Sequence, residues 1–216
     1  MSTKRIIPTV VPDSFEDVLR ARERYAFAGT LHIDAADGAF APNKTWMPAE
    51  EEQLPDAAEF AYGAHLMVEE PRHAGLSFAR AGVRRVSAHA ESLGGAERAN
   101  ETFEIWKAAG VSEIGVAALL QTPLSAIEQY VPLSDFVLLM SIAEIGRQGA
   151  AFDEQTYPRL REFHARHPET ALAVDGGVSR ENIAALRDAG ASIFFIGAAL
   201  ARAEDAQAEY AALLDA

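Results

Sequence analysis

Leu31-His32-Ile33-Asp34-Ala35-Ala36-Asp37-Gly38 is the stretch on which the reading of this 216-residue chain turns. It is apolar and β-branched at its start, so it reads as a strand running into a loop, and successive side chains of a strand point to opposite faces. His32 and Asp34 therefore share one face, and Leu31 and Ile33 the other. An imidazole beside a carboxylate admits three readings: half of a metal site, an acid/base pair, or a histidine held by its neighbour for structural reasons. One H-x-D spacing does not choose among them.

Working outward, the chain repeats one alternation of strand and helix. Ile6 to Val11 reads as the first strand, followed by a helix from Phe15 that Asp13 or Ser14 caps. Thr30 to Asp34 is the second strand. Residues 38–55 hold Pro42, Pro48, Pro55 and the run Glu50-Glu51-Glu52, which predicts a long loop with at most a short helix. Phe60 to Met67 is the third strand, with a helix after Pro71 through Leu76 to Ala81. Val83 to Ala88 is the fourth, and a helix from Ala96 to Ala109 ends at Gly110. Glu113 to Leu119 and Phe136 to Met140 are the fifth and sixth, with a short helix near Ser125 to Tyr130 between them. Ala143 to Ala151 is expected to be a mobile loop, and Tyr157 to Arg166 a helix. Ala171 to Val174 and Ile193 to Ile196 complete the strands. They are followed respectively by a helix to Ala189 capped by Ser179 and by a last helix to Leu214. Eight such units, with strands apolar throughout as strands buried on both faces are, predict a (β/α)8 TIM barrel spanning residues 1–216 as one domain. The competing doubly wound sheet lacks its fingerprint, since Pro12-Asp13-Ser14 holds no glycine.

Bulk properties narrow the partners. The formal charge of −13 argues against nucleic acid and anionic membranes, although a small phosphate can still be held by backbone N–H groups. Cysteine is absent, so any metal must use His, Asp or Glu. No apolar run approaches the roughly 18 residues of a membrane span, and the start of the chain does not read as a secretory signal. A soluble, cytoplasmic protein is the expectation.

In such a barrel the reactive groups sit at the C-terminal ends of the strands. Those ends carry His32 and Asp34, His65, His89 and Glu91, Met140, Asp175 and the glycines at 176, 177 and 197. His32, Asp34, His65 and Asp175 form a mixed nitrogen and carboxylate set suited to Zn, Fe(II), Mn or Co. Two aspartates on strands two and seven would face each other across the barrel mouth. One could take a proton from a substrate carbon and the other return it on the opposite face, while a metal stabilises the enediolate between; that is epimerisation. Gly176, Gly177, Gly197 and Ala198 expose backbone N–H groups where this fold commonly binds phosphate.

The motifs resemble those of the ribulose-phosphate 3-epimerase family. Its strand-two pattern, close to L-H-x-D-x-M-D-G-x-F-x-P-N, is met by Leu31 to Asn43. Its H-x-M-V appears as His65-Leu66-Met67-Val68, its H-x-E as His89-Ala90-Glu91, and its V-D-G-G-V as Val174 to Val178. The resemblance implies one divalent metal, usually Zn or Fe(II), on His32, Asp34, His65 and Asp175, with Asp34 and Asp175 as the acid/base pair. It also implies a cavity lined by Met67 and Met140, and a homo-oligomer. The expected reaction is C3 epimerisation of a ketose phosphate, with D-ribulose 5-phosphate to D-xylulose 5-phosphate as the leading case. Departures stand at Ala36 in place of a methionine, at Pro12 where the resemblance puts a serine, and at Ala198 in place of a second serine. The strand-five turn keeps Thr122 and Pro123. The usual strand-six loop is replaced by Ala143 to Gly149, in which Arg147 reads either as a phosphate contact or as an exposed charge. These departures leave another pentulose or hexulose phosphate, or a non-catalytic phosphate-binding barrel, as alternatives. A related decarboxylase pattern, D-x-K-x-x-D, fails at Ala36.

Overall fold

The apolar strands close on themselves. In a computed structural model that describes residues 5–146 and 148–216, the strands are β1 (Arg5–Val10), β2 (Thr30–Ala36), β3 (Ala61–Met67), β4 (Arg85–His89), β5 (Glu113–Ala118), β6 (Phe136–Met140), β7 (Ala171–Asp175) and β8 (Ile193–Ile196). They form a closed parallel barrel in sequence order, with β8 pairing back onto β1. The helices α1 (Phe15–Arg24), α2 (Pro71–Arg80), α3 (Ala90–Leu93), α4 (Ala96–Ala108), α5 (Leu124–Ile127), α6 (Thr156–Arg166), α7 (Ile183–Asp188), α8 (Ala198–Arg202) and α9 (Ala206–Asp215) occupy the connections. None of the described helices is long and apolar enough to cross a membrane.

Local chemistry explains most boundaries. Ser14 accepts the N–H of Asp17 while the Asp17 carboxylate accepts that of Ser14, a reciprocal cap that starts α1. Between β2 and β3 the chain forms the expected long loop, with no helix among the described residues. There Trp46 stacks on Phe15 at 5.5 Å, meets Phe78 edge-on at 5.9 Å and donates its backbone N–H to Pro12 O, covering the flank that a helix would otherwise cover. Three features differ from the sequence expectations. The chain after β4 turns at once into α3, so Glu91 lies on a helix rather than at a strand end. Asn182, not Ser179, is the N-cap of α7; Ser179 sits one turn earlier, its N–H given to Asn182 Oδ1. The last helix is two helices, because Asp205 caps α9 through Ala208 N, and Arg24 takes the final carbonyls around α8, reaching Ala203 O at 2.7 Å.

Period-two alternation sorts the apolar residues into two cores. Leu31, Ile33, Val86, Val116, Val137, Leu139, Val174 and Phe194 face the helices. Ile7, Ala117, Phe136, Leu138, Ala173, Ile193 and Phe195 fill the barrel. Below them, at the N-terminal end, Glu113 accepts from Arg5 at 2.7 and 3.0 Å and from Arg85 at 2.7 Å, tying β1, β4 and β5 together. The interior has little spare room: a Cβ on Gly115 would stand 2.2 Å from the Phe136 ring. Gly115→Ala should therefore destabilise the fold by about 1–3 kcal/mol through overpacking, read as a lowered denaturant midpoint at constant m-value.

Candidate active site

At the C-terminal end of the barrel the inward positions turn polar. The register sets Asp34 beside His65 and Met140 beside Asp175, so β2, β3, β6 and β7 deliver side chains at one level. One ligand atom each from Asp34, His65 and Asp175 lie within 4.8 Å of one another. His65 Nδ1 stands 3.7 Å from Asp34 Oδ1 and 3.5 Å from Asp175 Oδ2, too long for hydrogen bonds but close enough for charge to act. Ser141, just after β6, fixes the end of β7: its N–H donates to Asp175 O at 2.9 Å, and its hydroxyl reaches the carbonyls of Asp175 and Gly176.

His32 lies outside that three-residue group. Its ring is fully buried, stacked 4.1 Å from Phe195 and 6.3 Å from His65. A Cβ on Gly63 would stand 2.4 Å from its Nδ1. Both ring nitrogens of His32, together with Asp34 Oδ1 and His65 Nδ1, are buried without a hydrogen-bond partner. Buried polar atoms are rarely left unpaired, so several in one place mark a position that a further group completes.

The electrostatics follow from burial. Burial, and then the charge of Asp175, push the Asp34 carboxyl up to about 6, against the pull of His65 and the Thr9 hydroxyl. Burial disfavours a charge on His65, but Asp175 and Asp34 together raise its pKa to about 9. Burial, and then the charges of Arg85 and His65, hold His32 well below its ordinary value. His89 is lowered to about 4, mainly by burial. Glu91 falls to about 2, because His89, the Thr122 hydroxyl and Leu119 N–H outweigh its burial.

A cavity of about 50 Å³ opens over these groups, lined among others by Thr9, Asp34, Met67, Met140, Asp175 and Gln148. Gly176, Gly177, Gly197 and Ala198 form its other side. Gly176 and Gly177 have φ of 114° and 64°, and a Cβ at either would strike Ile142 or Phe152 within 2.9 Å. Arg147 lies outside the described residues. The hydroxyl at the end of strand one is supplied by Thr9, 3% exposed, and not from position 12. The inward parity of Ile7 and Thr9 is the signal that identifies it. Pro12 instead anchors Trp46, and Asp37 staples the long loop by accepting the N–H groups of Ala39, Phe40 and Glu69 at 2.8, 2.9 and 2.8 Å.

The raised His65 pKa gives a stability prediction for chelated protein. A base whose pKa is higher folded (about 9) than unfolded (6.5) contributes stability that is complete below pH 6.5 and lost as pH rises through about 9. The Tm of chelated protein should fall across that window, and His65→Asn should flatten the slope there.

Comparison with known proteins identifies the family. The family model described as the ribulose-phosphate 3 epimerase family matches residues 6–201. The chain is 34% identical over 186 residues to ribulose-phosphate 3-epimerase of Aquifex aeolicus, covering 84% of this chain and 82% of that one. It is 33% identical over 178 residues to the Bacillus subtilis enzyme of the same name, covering 80% of each. Among solved structures, 3-keto-L-gulonate-6-phosphate decarboxylase from Vibrio cholerae superposes with a TM-score of 0.68 at 15% identity, over 100% of this chain and 97% of that one, a likeness of fold. On the family match and these identities, the chain belongs to the ribulose-phosphate 3-epimerase family of isomerases.

Proposed function

We propose that this barrel interconverts D-ribulose 5-phosphate and D-xylulose 5-phosphate, with Asp34 and Asp175 as the acid/base pair. The observation that carries the reading is the approach of these two buried carboxylates, brought from the non-adjacent strands β2 and β7 to within 4.8 Å of each other around His65. A carbon held between them has a proton acceptor on one face and a donor on the other. One aspartate removes the C3 proton to leave an enediolate, and the other returns a proton to the opposite face. The roles exchange for the reverse reaction.

The unpaired buried atoms of His32, Asp34 and His65 fit a divalent cation, held by His32, Asp34, His65 and Asp175. The donor set, two imidazoles and two carboxylates, suits Zn or Fe(II), with Mn and Co as further candidates. When bound, such an ion supplies Lewis-acid stabilisation of the negative charge that develops on the substrate oxygens. Met67 and Met140, each 2% exposed, give the reacting carbon an apolar, water-poor wall. The backbone N–H groups of Gly176, Gly177, Gly197 and Ala198 are the proposed cradle for the phosphate.

Protein loaded in turn with Zn, Fe(II), Mn and Co should convert ribulose 5-phosphate, and in D2O the xylulose 5-phosphate should carry a solvent deuteron at C3. Asp34→Asn and Asp175→Asn should each lower kcat by about 10²- to 10⁴-fold with the circular dichroism spectrum unchanged. Metal-replete protein inert towards this and other ketose phosphates would overturn the assignment.

A further inference from the structure

We propose that His89 and Glu91 are positioning residues that hold a proton on His65 Nε2, so that Nδ1 is the nitrogen that presents a lone pair to a cation between the two aspartates. The inference concerns the metal-holding role given to His65 above and rests on that reading.

Each proton in the network is assigned by its neighbours. Glu91 is an acceptor only, and its two oxygens are divided. Oε1 takes the N–H of Leu119 at 3.0 Å and the hydroxyl of Thr122, while Oε2 faces His89 Nδ1 at 3.3 Å. His89 Nδ1 must therefore carry a proton, since a lone pair there would confront a carboxylate. A neutral imidazole has one N–H, so His89 Nε2 is left as an acceptor. That nitrogen lies 2.9 Å from His65 Nε2, which has to donate. With the Nε2 proton so fixed, Nδ1, directed at Asp34 and Asp175, is the nitrogen that gives up its proton when a cation binds. The opposite assignment sets two lone pairs, or two protons, against each other at a joint of the chain.

The geometry leaves little freedom. His65 and His89 are both 0% exposed, with ring centroids 4.9 Å apart, and Phe40 packs on the far side of His89 at 4.7 Å. Glu91 is held by α3, which starts directly after β4, and its partners come from the turn after β5. The orientation of a site histidine on β3 is thus set from a loop beyond β5. A metal-ligating histidine ordinarily donates its second N–H to an acceptor, and here that acceptor is a histidine backed by a carboxylate.

Glu91→Gln is the decisive variant because it changes one atom. The Leu119 N–H is a donor only, so the amide turns its oxygen toward it, the Thr122 hydroxyl following, and aims its NH2 at His89 Nδ1. That reverses His89, sets an N–H against His65 Nε2, and forces the His65 proton onto Nδ1. Long-range proton–nitrogen NMR of the histidine rings in Zn-loaded protein should show His89 protonated at Nδ1 in the wild type and at Nε2 in E91Q. Zn affinity, measured against a competing chelator, should fall about 10- to 100-fold in E91Q. Glu91→Asp should restore the Nδ1–H signature of His89, and Thr122→Val, which leaves the carboxylate in place, should keep it. Wild-type His89 protonated at Nε2, or E91Q with the wild-type signature and Zn affinity within twofold, would overturn the proposal. If E91Q does not fold, the wild-type signature alone decides. A wild-type protein with the predicted signature that turns over no ketose phosphate would instead remove the epimerase reading and leave the positioning chain standing.

Discussion

Two carboxylates buried within 4.8 Å of each other are the constraint around which the upper half of the barrel is arranged. Unit charges at that distance repel by on the order of 3 kcal/mol even at an effective dielectric of 20. The surrounding residues offset this in three ways. Without a metal, a proton on His65 supplies a counter-charge between the aspartates, and burial lets Asp34 retain a proton up to about pH 6. Thr9 turns a hydroxyl to Asp34 from the neighbouring strand. In the proposed reaction the same closeness sets a proton acceptor and a proton donor on opposite faces of one carbon. Stability and reactivity draw on one feature here.

The lower half of the barrel has the opposite character. Phe136, Phe195, Ile7 and Ile193 fill it, and the Arg5–Glu113–Arg85 cluster closes its N-terminal end. A rigid, fully packed floor is what allows polar side chains above it to be held at fixed separations. Gly63 and Gly115 show how tightly this is drawn, since each occupies a position where one added carbon would strike a neighbouring ring. The His32 ring lies at the junction of the two halves, with Phe195 against its face and Arg85 contributing charge from below.

Much of this architecture was legible in the sequence because period two and period 3.6 are both written in apolar spacing. The runs around Ile33, Val86, Val137 and Phe194 read as doubly buried strands, and the alternation of His32 with Ile33 and Asp34 set which side chains point inward. What escaped depended on contacts distant in sequence. Nothing local in residues 37–60 reveals that Trp46 would stand in for a helix by packing on Phe15 and Phe78. The break between α8 and α9 depends on Arg24, 179 residues from the carbonyl of Ala203 that it takes. Thr9 was passed over in favour of position 12, since a strand end is located by pairing and not by composition; β1 stops at Val10. Glu91 was recognised as a motif residue, but its part in a proton-ordered chain is visible only when Thr122 and Leu119 arrive from beyond β5.

The seam between β1 and β8 has a further consequence. Ile6 to Pro8 pair with Phe194 to Ile196, so the earliest strand to be synthesised finds one of its two neighbours only after almost the whole chain exists. The ion pair from Arg5 to Glu113 spans 108 positions and needs half of the chain before it can form. Until then Ile6 to Val10 is a short apolar strand with an open edge, a surface that invites pairing with other chains. Pro8 lies in the middle of that segment and offers no N–H to a foreign strand. A residue that costs the finished sheet one donor thus guards the nascent chain during the interval in which its edge is uncovered.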